Sequence, residues 1–454
     1  MRNLAKQKGL LVFLVGLLLF LLFVPSFFFP YIHKTFLKSG YKANVQKDYA
    51  AIILPSDSLY DLKPPYQAFL LWSHKQYNFD FYSHLWFDKY LYLSWAPSAL
   101  LVLLPFPHFP PQEFIKSVNI FLSIITLTIT IIIPLIFLLA WRLFTGEPTP
   151  FPKPKDKILG YTTLFLISLA FYPLARGLYL HQIQVLITGL QTLAILLLLA
   201  GKENASAVSV GLFASLKPHY LLILPWLALR RRWKPLLSAL ASFAIMTSLG
   251  AIIFGPINTF TYYIKIVPYM ADKGYAFFAN QSINGFLNRL FDNGSILHWS
   301  DNYPPYHPIV YYGTKIGIVV LLVVGILLPV LLSRKGKEQL GDENLYRQRS
   351  VLELALVMLC ITMASPISWQ HAYACLLPIC ALLFPALYSL KPWRKLTLPA
   401  FFFAWVFSAY SWEAKYLAGT PLNPLVSQLL LSAMLISALI ISTLWKLKKL
   451  GNSQ

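Results

Sequence analysis

The chain has 454 residues, 57% of them hydrophobic and only 12% charged, where a soluble domain carries about 25% charged residues. Its formal charge is +21, but lysine and arginine gather at the ends of long apolar runs, the pattern of cytoplasmic loops and not of a nucleic-acid surface. Composition and charge placement argue against a soluble globular protein and a nucleic-acid binder, and residues 1–454 read as one polytopic membrane domain.

Arg2, Lys6 and Lys8 precede an uncharged apolar run, Leu10 to Pro30. A run of roughly 20 apolar residues can cross the hydrocarbon core. It is too long for a secretory h-region, and no clear A-x-A site follows it, so a retained anchor is expected. Tyr31 to Tyr90 then form a polar and aromatic outer loop with Asp48, Asp57, Asp61, Asp80 and Asp88, expected to fold as a small cap. Leu91 to Phe106 is broken by Pro97 and ended by Pro105. As a helix it would reach only ~24 Å against a core of ~30 Å, so it is expected to dip in without crossing.

Further spans read as Phe114–Phe144, Ile158–Leu174, Ile183–Ala200, the short pair Ala205–Leu216 and His219–Leu229, then Pro235–Phe254 and Ile309–Leu332. Val351–Met363, Tyr373–Tyr388, Leu398–Trp412 and Leu425–Leu444 complete the series. With every basic loop inside, the pattern predicts an all-α bundle of about 12 spans with both ends cytoplasmic. The first outer loop, residues 31–90, and a second one, residues 257–307, then share the outer face. Cys360, Cys375 and Cys380 fit no zinc spacing and read as buried thiols.

The polar clusters that could carry chemistry fall on that same outer face. Asp48, beside the first membrane exit, is placed to act as a general base toward a hydroxyl; a solvated loop acid or a helix cap is the alternative. His371, in SPISWQHAY with Trp369 beside it, could relay a proton or hold a phosphate oxygen, or belong to an interfacial aromatic belt. Lys217, at the elbow SLKPHY, either snorkels or meets an anion. Arg176 offers a bidentate fork for phosphate. Gln182, Gln184, Asn280, Gln281 and Ser282 offer amide and hydroxyl groups for a sugar, although Asn280-Gln281-Ser282 is also a glycosylation sequon. Asp57 and Asp61 carry no assigned role, and their conversion to asparagine is expected to leave turnover within a fewfold. There is no Walker A, no G-x-G-x-x-G and no D-x-D. A sugar donor would then be a lipid phosphate reached from within the membrane.

The stretches KDYAAIILPSDSLYDLKPPY, LSWAPSALLVLLPF, RGLYLHQIQVL, SVGLFASLKPHYLLILPWLALRRRW, FFANQSINGFLNRLF and SPISWQHAY, in that order, resemble glycosyltransferase family 87. The resemblance implies a GT-C-type helix bundle that moves mannose from a polyprenyl-phosphate donor to a glycan or glycolipid acceptor, without metal or cofactor. It places the catalytic residues at Asp48, as base, and His371, beside the departing phosphate, the donor-phosphate contacts at Lys217 and Arg176, and sugar contacts at Gln182, Gln184, Asn280, Gln281, Ser282 and Trp369. Gln184 stands where the family carries asparagine and His181 where it often carries glycine. A bacterial plasma membrane, with the site on the outer face, is the implied location. A polyprenyl-phosphate-pentose transferase or a ligase of the same fold is the alternative, and a polytopic transporter a more distant one.

Overall fold

The structure, a computed structural model, describes residues 59–74, 79–106, 108–300, 302–332, 342–409, 417–418 and 420–452, together with Val12, Val15 and Gly16. Among the described residues every regular element is helical, joined by one isolated antiparallel β-bridge between Asn280 and Trp369. The main helices are α1 (Lys63–His74), α2 (Pro111–Thr145), α3 (Pro154–Leu169), α4 (Tyr172–Tyr179), α5 (Gln184–Leu199) and α6 (Glu203–Leu216). They continue with α7 (Trp233–Phe254), α8 (Ile283–Leu290), α9 (Pro308–Leu322), α10 (Glu343–Ala364), α11 (Leu376–Ser389), α12 (Arg394–Ala409) and α13 (Gln428–Asn452).

Five of the described helical stretches are long and apolar enough to cross a membrane: Pro111–Thr145, Trp233–Phe254, Pro308–Leu332, Gln370–Ser389 and Asn423–Lys449. The pair α3–α4 adds a sixth if it crosses as one. The expected run Ile158–Leu174 is therefore not one straight helix: it breaks, and the two pieces meet at 50°. Pro173 accounts for the break. It has no N–H for a continuing helix, but it is tolerated in the first turn of a new one, which is where α4 places it.

One stripe of α2, Ile120, Ile124, Leu127, Ile131 and Leu135, is exposed at helical spacing, while Val118, Leu122, Ile129, Ile133 and Ile136 on the other side are buried. A continuous exposed apolar stripe is a lipid-facing surface. In contrast, α10 is buried at every residue from Arg349 to Ala364. A helix buried all round lies at the centre of a bundle.

Two glycines set close approaches. A Cβ at Gly211 of α6 would lie 2.1 Å from the Ala239 carbonyl oxygen of α7, and one at Gly250 would lie 2.9 Å from Ser98 N. The second contact seats the piece expected to dip without crossing. Within Leu91 to Phe106 only Pro97–Leu100 and Leu101–Leu103 are helical, and Ser98 Oγ donates to Ser215 O at 2.5 Å. Residues 79–95 are tied to the segment after α7. Asn258 donates to Phe79 O at 2.9 Å and accepts from Phe81 N at 3.0 Å. Thr261 donates to Asp80 at 2.8 Å and Tyr262 to Ser94 O at 3.1 Å.

Candidate active site

The site begins at the turn between α4 and α5. Leu180 ends α4, and His181 takes φ +55°, the left-handed region that is easy for glycine and costs other residues roughly 1 kcal/mol or more. This conformation explains why glycine suits the position His181 occupies. The imidazole is fully buried, and burial lowers its pKa to about 4, so it is neutral near pH 7. The turn closes with Gln182 N donating to Gly177 O at 2.9 Å. It thereby aims the Gln182 side chain at Asp61, whose Oδ2 accepts from Gln182 Nε2.

Asp61 opens the short 3-10 turn Tyr60–Leu62 that leads into α1. Its side chain is accessible, yet protein surrounds it closely enough that burial raises its pKa, with the Gln182 hydrogen bond and the Arg176 charge pulling the other way. Arg176 of α4 is half-buried and lies 5.4 Å from the centroid of the Tyr179 ring.

The second arm comes from α5 and α6. Gln184 is the first residue of α5 and is buried; its Oε1 accepts from Lys217 Nζ at 3.0 Å. Lys217 ends α6 in an extended conformation, forced by Pro218 behind it. This ammonium has a neutral amide for a partner. A half-buried cation with a neutral partner is poised for an anion, because an isolated charge is costly to hold away from water.

The third arm is the 3-10 turn Gln370–Cys375, which carries buried His371. Gly177 faces it: a Cβ there would lie 3.4 Å from His371 Cβ. Tyr172 OH donates to Gln370 Oε1 at 3.2 Å, linking α4 to the same turn. His371 feels the charges of both Lys217 and Arg176. The structure thus brings Arg176, Gln182, Gln184, Lys217 and His371 into one neighbourhood. Asp48 lies outside the described residues, as does Asp57.

Asn280, Gln281 and Ser282, expected as sugar contacts, are tied into the surrounding protein. All three are buried, and protein groups occupy their polar atoms. Asn280 donates to Tyr275 O at 3.0 Å and accepts from Ser368 N at 3.0 Å. Gln281 donates to Val426 O at 2.9 Å and accepts from Leu429 N at 3.0 Å. Ser282 donates to Pro366 O at 2.7 Å and caps α8. They form a frame that holds the Ser365–Trp369 turn, and such burial also leaves no room for an attached glycan. Arg289, unassigned from sequence, completes the frame: it donates to the carbonyls of Ala276, Phe277 and Asn280 at 2.8–3.1 Å and to Ser427 Oγ at 2.6 Å. Its signal in the sequence is an arginine in the short apolar stretch FLNRLF with no acid on that helix.

The frame presents half-buried Trp369 to an aromatic cluster. The ring of Trp369 lies 5.9 Å from those of Tyr275 and Trp299, and Tyr303 lies 4.9 Å from Tyr275. Trp299 keeps 48% of its surface exposed, so the cluster offers an open aromatic face beside the His371 turn.

Comparison with characterised proteins and with solved structures finds no match. Residues 92–366 match the model of glycosyltransferase family 87. The matched region holds Arg176, Gln182, Gln184, Lys217 and Asn280–Ser282, and ends before Trp369 and His371. It covers more than half of the chain, which therefore belongs to glycosyltransferase family 87 and is a membrane glycosyltransferase.

Proposed function

We propose that the protein transfers mannose from a polyprenyl-phosphate donor to a glycan or glycolipid acceptor, at a site on the outer face of a bacterial plasma membrane. One observation carries this reading: Lys217 meets the neutral amide of Gln184, and Arg176 lies near Asp61, which holds the amide of Gln182, all in one neighbourhood of an apolar bundle. Cations hold a phosphate and amides hold a sugar; a lipid-linked donor needs both, beside a surface wet by lipid.

In this mechanism Asp48 takes the proton from the acceptor hydroxyl. The hydroxyl oxygen bonds to the anomeric carbon as the bond from that carbon to the phosphate oxygen breaks, its electron pair going to the phosphate. Arg176 and Lys217 stabilise the charge that grows there, with His371 beside them. One base and one displacement invert the anomeric centre, so no covalent intermediate forms. The face of Trp369, Trp299 and Tyr275 suits stacking of an acceptor ring.

The test uses purified protein in lipid nanodiscs with mannosyl polyprenyl phosphate and a panel of mannoside acceptors, product being read by mass spectrometry. Transfer of mannose is the expected result. Transfer of a pentose alone from the corresponding donor would replace the donor sugar. If neither sugar is transferred, the reading fails.

A further inference from the structure

Asp61 and Gln182 are 121 positions apart, yet their side chains are hydrogen-bonded. An ionised carboxylate has only acceptors to offer, whereas an amide has a donor end and an acceptor end. The pairing therefore sets the Gln182 amide: Nε2 faces Asp61 and the carbonyl oxygen faces away from it. The Gln182 backbone is held as well, through its N–H to Gly177 O at 2.9 Å, so main chain and side chain are both fixed. Arg176 supplies a positive charge near the carboxylate and lies on the helix whose C-terminal turn carries Gln182.

We propose that Asp61 is a positioning residue of the transfer site: it fixes the Gln182 amide so that its carbonyl oxygen accepts a hydrogen bond from a sugar hydroxyl. This role presupposes the glycosyl transfer proposed above. It separates the acids of the first outer loop into two tasks. Asp48 moves the proton, while Asp61 touches neither proton nor phosphate and acts through its neighbours. An asparagine at 61 still offers a carbonyl to Gln182 Nε2, which is why that exchange is mild. An alanine offers nothing, and the amide is then free to turn its donor end toward the sugar.

The experiment is a double-mutant cycle in nanodiscs with the polyprenyl-phosphate sugar that the wild type turns over. Asp61→Ala and Gln182→Ala should each lower kcat/KM roughly tenfold or more, and the double variant should be no worse than either single, because the two residues act as a unit. Asp61→Asn should stay within about threefold, since it keeps the acceptor. Additive losses, or an Asp61→Ala enzyme with wild-type kcat/KM, would overturn the role. An Asp61→Asn enzyme as impaired as Asp61→Ala would assign the effect to charge alone and also overturn it. If the wild type transfers no sugar from any such donor, the transfer reading falls first and this role with it.

Discussion

The chain from Glu203 to Leu229 runs out and back, and its two ends handle positive charge in opposite ways. At the elbow, Lys217 meets the neutral amide of Gln184 at 3.0 Å. At the other end, Arg230 meets Glu353 at 3.1 Å, with their side chains 4% and 0% exposed. Trp226 Nε1 donates to the same carboxylate at 3.0 Å. Arg232 lies 5.1 Å from the Trp226 ring and 4.9 Å from that of Tyr346, and its guanidinium donates to Ser350 at 2.5 Å. The lower cluster is sealed and supplies its own countercharge, which is how a bundle staples its helices. At the elbow the partner is neutral and access is kept, which is how a protein awaits an anionic ligand. Exposure and partner charge together, more than residue type, separate a binding cation from a structural one.

The comparison breaks most visibly at Asp48, the acid expected to act as the general base. Asp48→Asn keeps size and hydrogen bonding but loses basicity. Turnover should fall by ~10²–10⁴ with thermal stability unchanged, in nanodisc kinetics paired with thermal unfolding. Retained turnover would remove Asp48 from catalysis.

The sealed end should behave in reverse. Arg230→Met leaves Glu353 buried without its ion-pair partner, a loss on the order of 3 kcal/mol of stability. Chemical unfolding should show it, while the donor KM of the remaining folded protein holds steady. A shift in donor KM without loss of stability would erase the contrast between the two ends.

Lys217→Ala should weaken donor binding about tenfold, a typical value for one charge-assisted hydrogen bond, and Lys217→Arg should restore part of it. Titration with polyprenyl phosphate, followed by thermal shift, measures this directly. Equal affinity in the alanine variant would make Lys217 a snorkelling residue.

The last test concerns the turn that aims Gln182. His181→Val puts a β-branched residue at φ +55° and should cost ~1–3 kcal/mol. His181→Gly removes the strain and should be the milder change. Unfolding midpoints of the two variants decide the point, and a valine variant as stable as the glycine one would deny that the backbone at 181 is strained.

Local patterns were legible without coordinates. Apolar runs predict helices because a helix satisfies its own backbone within the segment, and α2, α7 and the stretch Pro308–Leu332 lie within a few residues of the expected spans. The order of the motifs was enough for the family. Positions such as Lys217 and Arg176 stood out because a charge between apolar segments needs a reason.

What the sequence by itself determined, then, was the class of fold, the family, and a set of polar residues held against the cost of burying them. Tertiary structure alone decided which of these meet. Asp61 had no role in the sequence because a loop acid acquires one only through a partner, here 121 residues away. Asn280, Gln281 and Ser282 carry amides and a hydroxyl suited to sugars and to carbonyls alike, and only the fold shows their partners at Ser368, Val426 and Pro366. Residue chemistry is local and can be read along the chain, but satisfaction of a hydrogen bond depends on what the fold brings within 3 Å.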